Sequence, residues 1–148
     1  MKRIMIDASK CDGCKNCTLA CMDSHRHDGG AGVVTLNLGD SLNVARNEII
    51  NGPEGGYLPM FCRHCSEPAC ADSCMSGALY KDEETGHVKY DDSKCGSCFM
   101  CVMNCPYGIP KISEDRKRII KCDFCSDRPE GPACVAACPK QAIYVEEV

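Results

Sequence analysis

Tryptophan is absent from this 148-residue sequence, and phenylalanine and tyrosine together supply only 5% of it. The large side chains that usually dominate a core are therefore scarce. No apolar run approaches the roughly 18 residues that a membrane-spanning helix needs. The first ten residues, MKRIMIDASK, show neither an apolar h-region nor a twin arginine, so a secretion leader is not expected. Neither a GxGxxG fingerprint nor a P-loop occurs, so flavin, nicotinamide and nucleotide sites are not indicated. These absences leave a protein expected in the cytoplasm, without membrane insertion.

What the sequence has in excess is cysteine: 16 of 148 residues. They fall in four groups of four with none left over. Group I is Cys11, Cys14, Cys17 and Cys21; group II is Cys62, Cys65, Cys70 and Cys74. Group III is Cys95, Cys98, Cys101 and Cys105; group IV is Cys122, Cys125, Cys134 and Cys138. Groups I and III read C-x2-C-x2-C-x3-C, the run that holds cubane iron–sulfur clusters in bacterial ferredoxins. Groups II and IV stretch its middle spacing to x4 and x8.

A cubane cluster needs thiolates converging on a small volume, and this run supplies three from one tight loop whose N–H groups face the sulfurs. Gly13 and Gly96 sit inside such loops, where a left-handed backbone is expected. Pro106 and Pro139 follow the last cysteines of III and IV as in the ferredoxin run, whereas Met22 and Met75 stand there in I and II. Dense cysteine can also signal a disulfide scaffold, but three cysteines at successive x2 spacings suit chelation of one centre better. Four all-cysteine zinc sites would use the same sixteen thiolates. Zinc ribbons, however, pair two C-x2-C knuckles across a long gap, and here a third cysteine follows at x2 in I and III. The expectation is four [4Fe–4S] clusters in a reducing, oxygen-poor setting, with a zinc-stabilised interaction module as the alternative of another class. With so few large apolar residues, the clusters must act as folding centres, so the apoprotein is expected to be largely unfolded.

The formal charge of −4 omits the cofactors. Each oxidised cluster with its four thiolates carries about −2, which brings the loaded protein to about −12. That disfavours nucleic acid as a partner and favours docking on a basic patch of a redox protein.

Two phrases recur. RIMIDASKC precedes group I and HVKYDDSKC precedes group III; CMSGALYKDE follows group II and CPKQAIYVEE follows group IV. Groups I and III thus have an incoming strand, and II and IV an outgoing one. Ala78-Leu79-Tyr80 and Val88-Lys89-Tyr90 flank KDEETGH and read as a hairpin. Ile4-Met5-Ile6 and Ala142-Ile143-Tyr144-Val145, each lacking a neighbour in sequence, can pair with each other and close the two ends of the polypeptide.

The expected fold is α+β: two nested ferredoxin-like [4Fe–4S] units with short β-hairpins, small helices and much irregular loop. Residues 1–24 and 118–148 form the outer unit, 61–117 the inner one, and 25–60 an inserted partner-binding segment with a strand expected from Val33 to Leu38. In two-cluster ferredoxins the fourth cysteine of each run ligates the other cluster. Carried over, this predicts Cys11, Cys14 and Cys17 with Cys138, and Cys122, Cys125 and Cys134 with Cys21. The inner sets are Cys62, Cys65 and Cys70 with Cys105, and Cys95, Cys98 and Cys101 with Cys74. His25, His27 and His64 lie near cysteines and read either as hydrogen-bond donors that tune a cluster or as solvated residues. The stretch KISEDRKRIIK mixes signs and reads as a docking edge or a solvated face. With every cysteine a ligand, no catalytic residue is assigned.

Four ferredoxin runs in this order resemble the four-cluster iron–sulfur subunits of the dimethyl sulfoxide reductase type. Within that group, FCRHCSEPAC, CMSGALYKDEETG, CVMNCPYG and IIKCDFCSDRP look most like the ferredoxin-like subunit that accompanies carbon monoxide dehydrogenase. The resemblance implies the same nested pairing and a place in a hetero-oligomer. It implies an electron-transfer subunit that passes single electrons between a catalytic oxidoreductase, here carbon monoxide dehydrogenase, and an NAD(P)H-linked flavoprotein or a hydrogenase. A molybdenum or tungsten partner, formate dehydrogenase or aldehyde oxidoreductase, is the other reading within the family, and a free polyferredoxin is a third.

Overall fold

The computed structural model describes residues 1–148. In sequence order its elements are β1 Lys2–Ile6, α1 Asn16–Ser24, β2 Glu48–Asn51, β3 Tyr57–Met60, α2 Ala69–Asp72, β4 Leu79–Lys81 and β5 Val88–Tyr90. Then follow α3 Met100–Asn104, β6 Lys111–Ile112, β7 Ile119–Ile120, α4 Ala133–Ala136 and β8 Ile143–Glu147. The fold is α+β, made of four two-stranded antiparallel sheets, short helices and much loop. No helix is long and apolar enough to cross a membrane.

The recurring phrases become recurring structure. Asp7 and Asp91 each accept the N–H of the serine two residues on, Ser9 at 3.2 Å and Ser93 at 3.1 Å. Each thereby caps a 3₁₀ turn, Ala8–Lys10 or Asp92–Lys94, that delivers the backbone to the next cysteine. Lys10 and Lys94 pair back to the same aspartates at 3.3 and 3.6 Å.

The two ends of the polypeptide pair as the strand pattern requires: β1 runs antiparallel to β8, with Ile4 opposite Val145 and Ile6 opposite Ile143. β4 and β5 form the hairpin between groups II and III, with Leu79 opposite Tyr90. Helix α1 packs on α4, and α2 on α3, so groups I and IV share one half of the molecule and II and III the other. Each half has its own small core. One contains Ile4, Cys17, Phe61, Phe124, Cys134 and Ile143; the other contains Leu79, Val88, Cys101 and Ile119.

The 25–60 segment departs from expectation at one point. Val33–Leu38 is not a strand: Val33–Thr35 is a 3₁₀ turn. The backbone enters it through Gly32 at φ +89°, and the Thr35 hydroxyl donates back to the Ala31 and Gly32 carbonyls. The guanidinium of Arg26 grips Asp28 at 2.6 and 2.8 Å and the Thr35 carbonyl at 3.0 Å, which holds the turn closed. The regular structure of the segment lies further on, in the β2–β3 hairpin around the NGPEGG loop.

Candidate metal centres

Every group uses the same local device. The residue two places after the first cysteine has a left-handed backbone in all four: Gly13 at φ +73°, His64 at +42°, Ser97 at +57° and Phe124 at +61°. Gly96 does not take this conformation; Ser97, its neighbour, does. In group III the strain therefore falls on a non-glycine residue, at a cost of about 1–2 kcal/mol. Such strain persists only where the surroundings impose it. The third cysteine of each group then sits within a short helix, and the fourth follows four residues later: Cys17 and Cys21 on α1, Cys70 and Cys74 at α2, Cys101 and Cys105 at α3, Cys134 and Cys138 at α4.

Three cavities show which cysteines converge. The first is lined by Cys11, Cys14, Cys17 and Cys138. The second is lined by Cys62, Cys65, Cys70 and Cys105, and the third by Cys95, Cys98, Cys101 and Cys74. In each, three cysteines come from one group and the fourth from another. The remaining four are neighbours as well: burial raises the Cys134 thiol well above its usual range, and the nearby Cys122, Cys21 and Cys125 add to the effect. Burial likewise raises Cys17 and Cys70, each to about 11.

The sites form a series. Cys17 of the first site is close enough to Cys134 to raise its thiol, Cys62 acts in the same way on Cys122, and Cys70 and Cys74, four residues apart at α2, join the site of Cys62 to that of Cys95. The ends of the series reach solvent, since Cys14 and Cys98 are the two exposed cysteines.

Backbone donors already face several sulfurs. The N–H of Leu79 points to Cys74 Sγ at 3.4 Å and that of Ala142 to Cys138 Sγ at 3.3 Å, a matched pair in the two halves. Phe124 N–H lies 3.4 Å from Cys122 Sγ, and Arg46 N–H, from the inserted segment, lies 3.2 Å from Cys21 Sγ. Sulfurs gathered in sets of four, met by N–H donors and walled by apolar side chains, fit a cubane iron–sulfur cluster.

The inserted segment is stitched to these sites. The Arg46 guanidinium donates to Asp123 at 2.6 Å, and His25 Nε2 meets both oxygens of the same carboxylate at 3.2 Å. Burial opposes the charge on His25, but Asp123 and Cys21 outweigh it and raise its pKa to about 10. The Asp123 carboxyl is held far below its usual range against its own burial, by His25 and Arg46. Ile49 and Pro59 of the β2–β3 hairpin wall the first cavity, and the Tyr57 ring lies on Gly13 so closely that a Cβ there would sit 2.5 Å from it.

Of the three histidines singled out in the sequence, His27 is the solvated one and pairs with Asp40 at 3.3 Å. His64 is buried among His87 and Phe124, and its Nδ1 accepts the Val88 N–H at 3.0 Å. Nε2 therefore carries the proton, and it is buried without a partner. KISEDRKRIIK folds as β6, a turn and β7. Its last residue, Lys121, is buried, and no sequence pattern marked it.

Comparison with known proteins agrees with this chemistry. The family model of the 4Fe-4S dicluster domain matches residues 54–148. The B subunit of the anaerobic dimethyl sulfoxide reductase of Escherichia coli K12 is 37% identical over 93% of this sequence and 69% of its own length. The electron transport protein HydN of the same organism is 33% identical over 95% of this sequence and 85% of its own. Among solved structures, the active-site complex BamBC of benzoyl-coenzyme A reductase with benzoyl-CoA contains a polypeptide that superposes with a TM-score of 0.52. That polypeptide is 25% identical, and the match covers 99% of the present one and 79% of its own length.

Proposed function

This protein belongs to the 4Fe-4S dicluster family of iron–sulfur electron-transfer subunits, with sixteen cysteines for four [4Fe–4S] clusters, and from that premise we propose how it does its work. The ligand sets are Cys11, Cys14, Cys17 and Cys138; Cys122, Cys125, Cys134 and Cys21; Cys62, Cys65, Cys70 and Cys105; and Cys95, Cys98, Cys101 and Cys74. The observation that carries this assignment is the lining of three cavities by three cysteines of one group and one of another, with Cys122, Cys125 and Cys21 gathered around Cys134 as the fourth set. A [4Fe–4S] cluster in each set supplies one-electron exchange. The polypeptide holds the sulfurs and leaves Cys14 and Cys98 at the surface where redox partners dock.

On this reading, residues 1–24 and 118–148 are the outer unit, 61–117 the inner unit, and 25–60 the segment that meets a partner. Support for the last comes from Val34, Leu38 and Leu42, which it presents to solvent at 100%, 67% and 56% exposure. The protein works in the cytoplasm as part of a hetero-oligomer, between a catalytic oxidoreductase and an acceptor such as an NAD(P)H-linked flavoprotein or a hydrogenase. For the catalytic partner we take carbon monoxide dehydrogenase, on the resemblance of FCRHCSEPAC and IIKCDFCSDRP. A molybdenum or tungsten oxidoreductase is the second reading, and the similarity to the B subunit of dimethyl sulfoxide reductase favours it.

Anaerobic mixing of the loaded protein with carbon monoxide dehydrogenase and carbon monoxide tests the choice. Bleaching of the visible cluster absorbance within seconds is the expected result. Bleaching by formate and formate dehydrogenase alone moves the protein to the second reading, and no bleaching by either enzyme overturns both.

A further inference from the structure

Lys121 is 4% exposed, and its ammonium donates to only two groups, the Val88 carbonyl at 2.7 Å and the Cys122 carbonyl at 2.8 Å. Val88 belongs to β5 in the inner half and Cys122 to group IV in the outer half, so this side chain spans the junction. It lines the cavity of Cys62, Cys65, Cys70 and Cys105 on one side and borders Cys122 on the other. No carboxylate lies within ion-pair distance of it. A buried cation with carbonyl partners alone is costly unless a neighbouring anion compensates it. The anions that fit are the two thiolate-bound clusters on either side, each of net charge about −2 when oxidised.

Other cations near the sites differ in exposure. Lys81 reaches the Ser66 carbonyl at 2.7 Å from a half-exposed position, Lys15 and Lys140 at the first cavity are exposed, and the more sheltered His25 and Arg46 beside Cys21 are paired with the Asp123 carboxylate. Water and salt screen those charges, whereas a buried charge is screened much less.

We propose that Lys121 sets the reduction potentials of the two middle clusters, stabilising the added electron at the group II and group IV sites and raising both potentials. One buried ammonium serves both sites across the junction between the two halves. This rests on the ligand sets proposed above.

The test is an EPR-monitored reductive titration of the loaded protein carrying Lys121→Met, with Lys121→Arg as the charge-retaining comparison and iron counted in each. About sixteen iron per polypeptide in both variants keeps the ligand sets in place, whatever the potentials do. The expected result is that two of the four clusters become about tenfold harder to reduce in Lys121→Met, about 59 mV for a one-electron couple. The other two stay unmoved, and Lys121→Arg remains near the unaltered protein. Unchanged potentials, an equal shift of all four, or an equal shift in Lys121→Arg would overturn the proposal. Should Lys121→Met lose iron, Lys121→Gln is titrated instead, since its amide can still donate to both carbonyls. If that variant also loses iron while Lys121→Arg does not, the lysine is an assembly residue and the proposal fails.

Discussion

Removal of the iron should unfold this protein and not merely empty it. Only 27 of 148 residues are buried, and three of the ten residues in the two apolar clusters are themselves cysteines. The accessible surface is 8578 Å², whereas a folded protein of 16.1 kDa is expected to expose about 7,400 Å². The excess is about 1,200 Å², of which roughly 55–60% is apolar on a typical surface. At ~25 cal/mol per Å² this is about 17 kcal/mol of burial that the polypeptide forgoes. A typical domain is stable by only about 5–15 kcal/mol, so the shortfall is as large as the whole margin. The sites must supply it, and metal-binding free energy here is folding free energy. The assay is anaerobic chelation of the iron, followed by thermal melting in far-UV circular dichroism and by amide exchange. A broad, non-cooperative melt and unprotected amides along β1 and β8 are the expected outcome. A cooperative transition with those amides still protected would refute the reasoning.

Crossed ligation makes a prediction about double variants. Cys138→Ala and Cys14→Ala should each remove about four iron, and the pair together no more than either alone, since both belong to one cluster; additive loss would contradict the crossing. Gly13→Ala forces a left-handed backbone on alanine, at about 1–2 kcal/mol, and sets its Cβ against the Tyr57 ring. Iron should leave that variant faster than Gly55→Ala, where the backbone is equally left-handed at φ +82° but nothing lies nearby. Equal iron-release rates would show that Tyr57 does not press on the loop. Ile143→Ala removes a buried side chain that packs with Ile4 and Phe124. It should cost the loaded protein about 2–5 kcal/mol, read as a lowered denaturant midpoint, and a loss under about 1 kcal/mol would show that the β1–β8 pair carries little of the outer half.

The parts legible in the sequence were those built from local rules. Fixed spacings picked out four groups of four cysteines, and the recurring phrases RIMIDASKC and HVKYDDSKC placed an incoming strand before groups I and III, where β1 and β5 lie. The pairing of the Ile4-Met5-Ile6 strand with Ala142-Ile143-Tyr144-Val145 was also readable, although not its register, which sets Ile4 opposite Val145 across 141 positions. What stayed hidden depends on contacts that no spacing encodes. Val33–Leu38 reads as a strand by its β-branched residues, yet Arg26 and Gly32 fold it into a turn. The left-handed position in group III falls on Ser97 and not on the adjacent Gly96, because the loop's geometry outweighs residue preference. Asp123 gathers His25 and Arg46 from 98 and 77 residues away. Lys121 looks like one more charge in a mixed-sign stretch until the fold places β5 over it.

The most direct measurement is of iron, acid-labile sulfide and zinc per polypeptide in anaerobically purified protein, together with the electrons it accepts in a reductive titration. About sixteen iron, sixteen sulfide and four electrons per polypeptide is the expected result for four cubane clusters acting as one-electron carriers. About four zinc with no sulfide and no electron uptake would contradict it and leave a zinc-stabilised module.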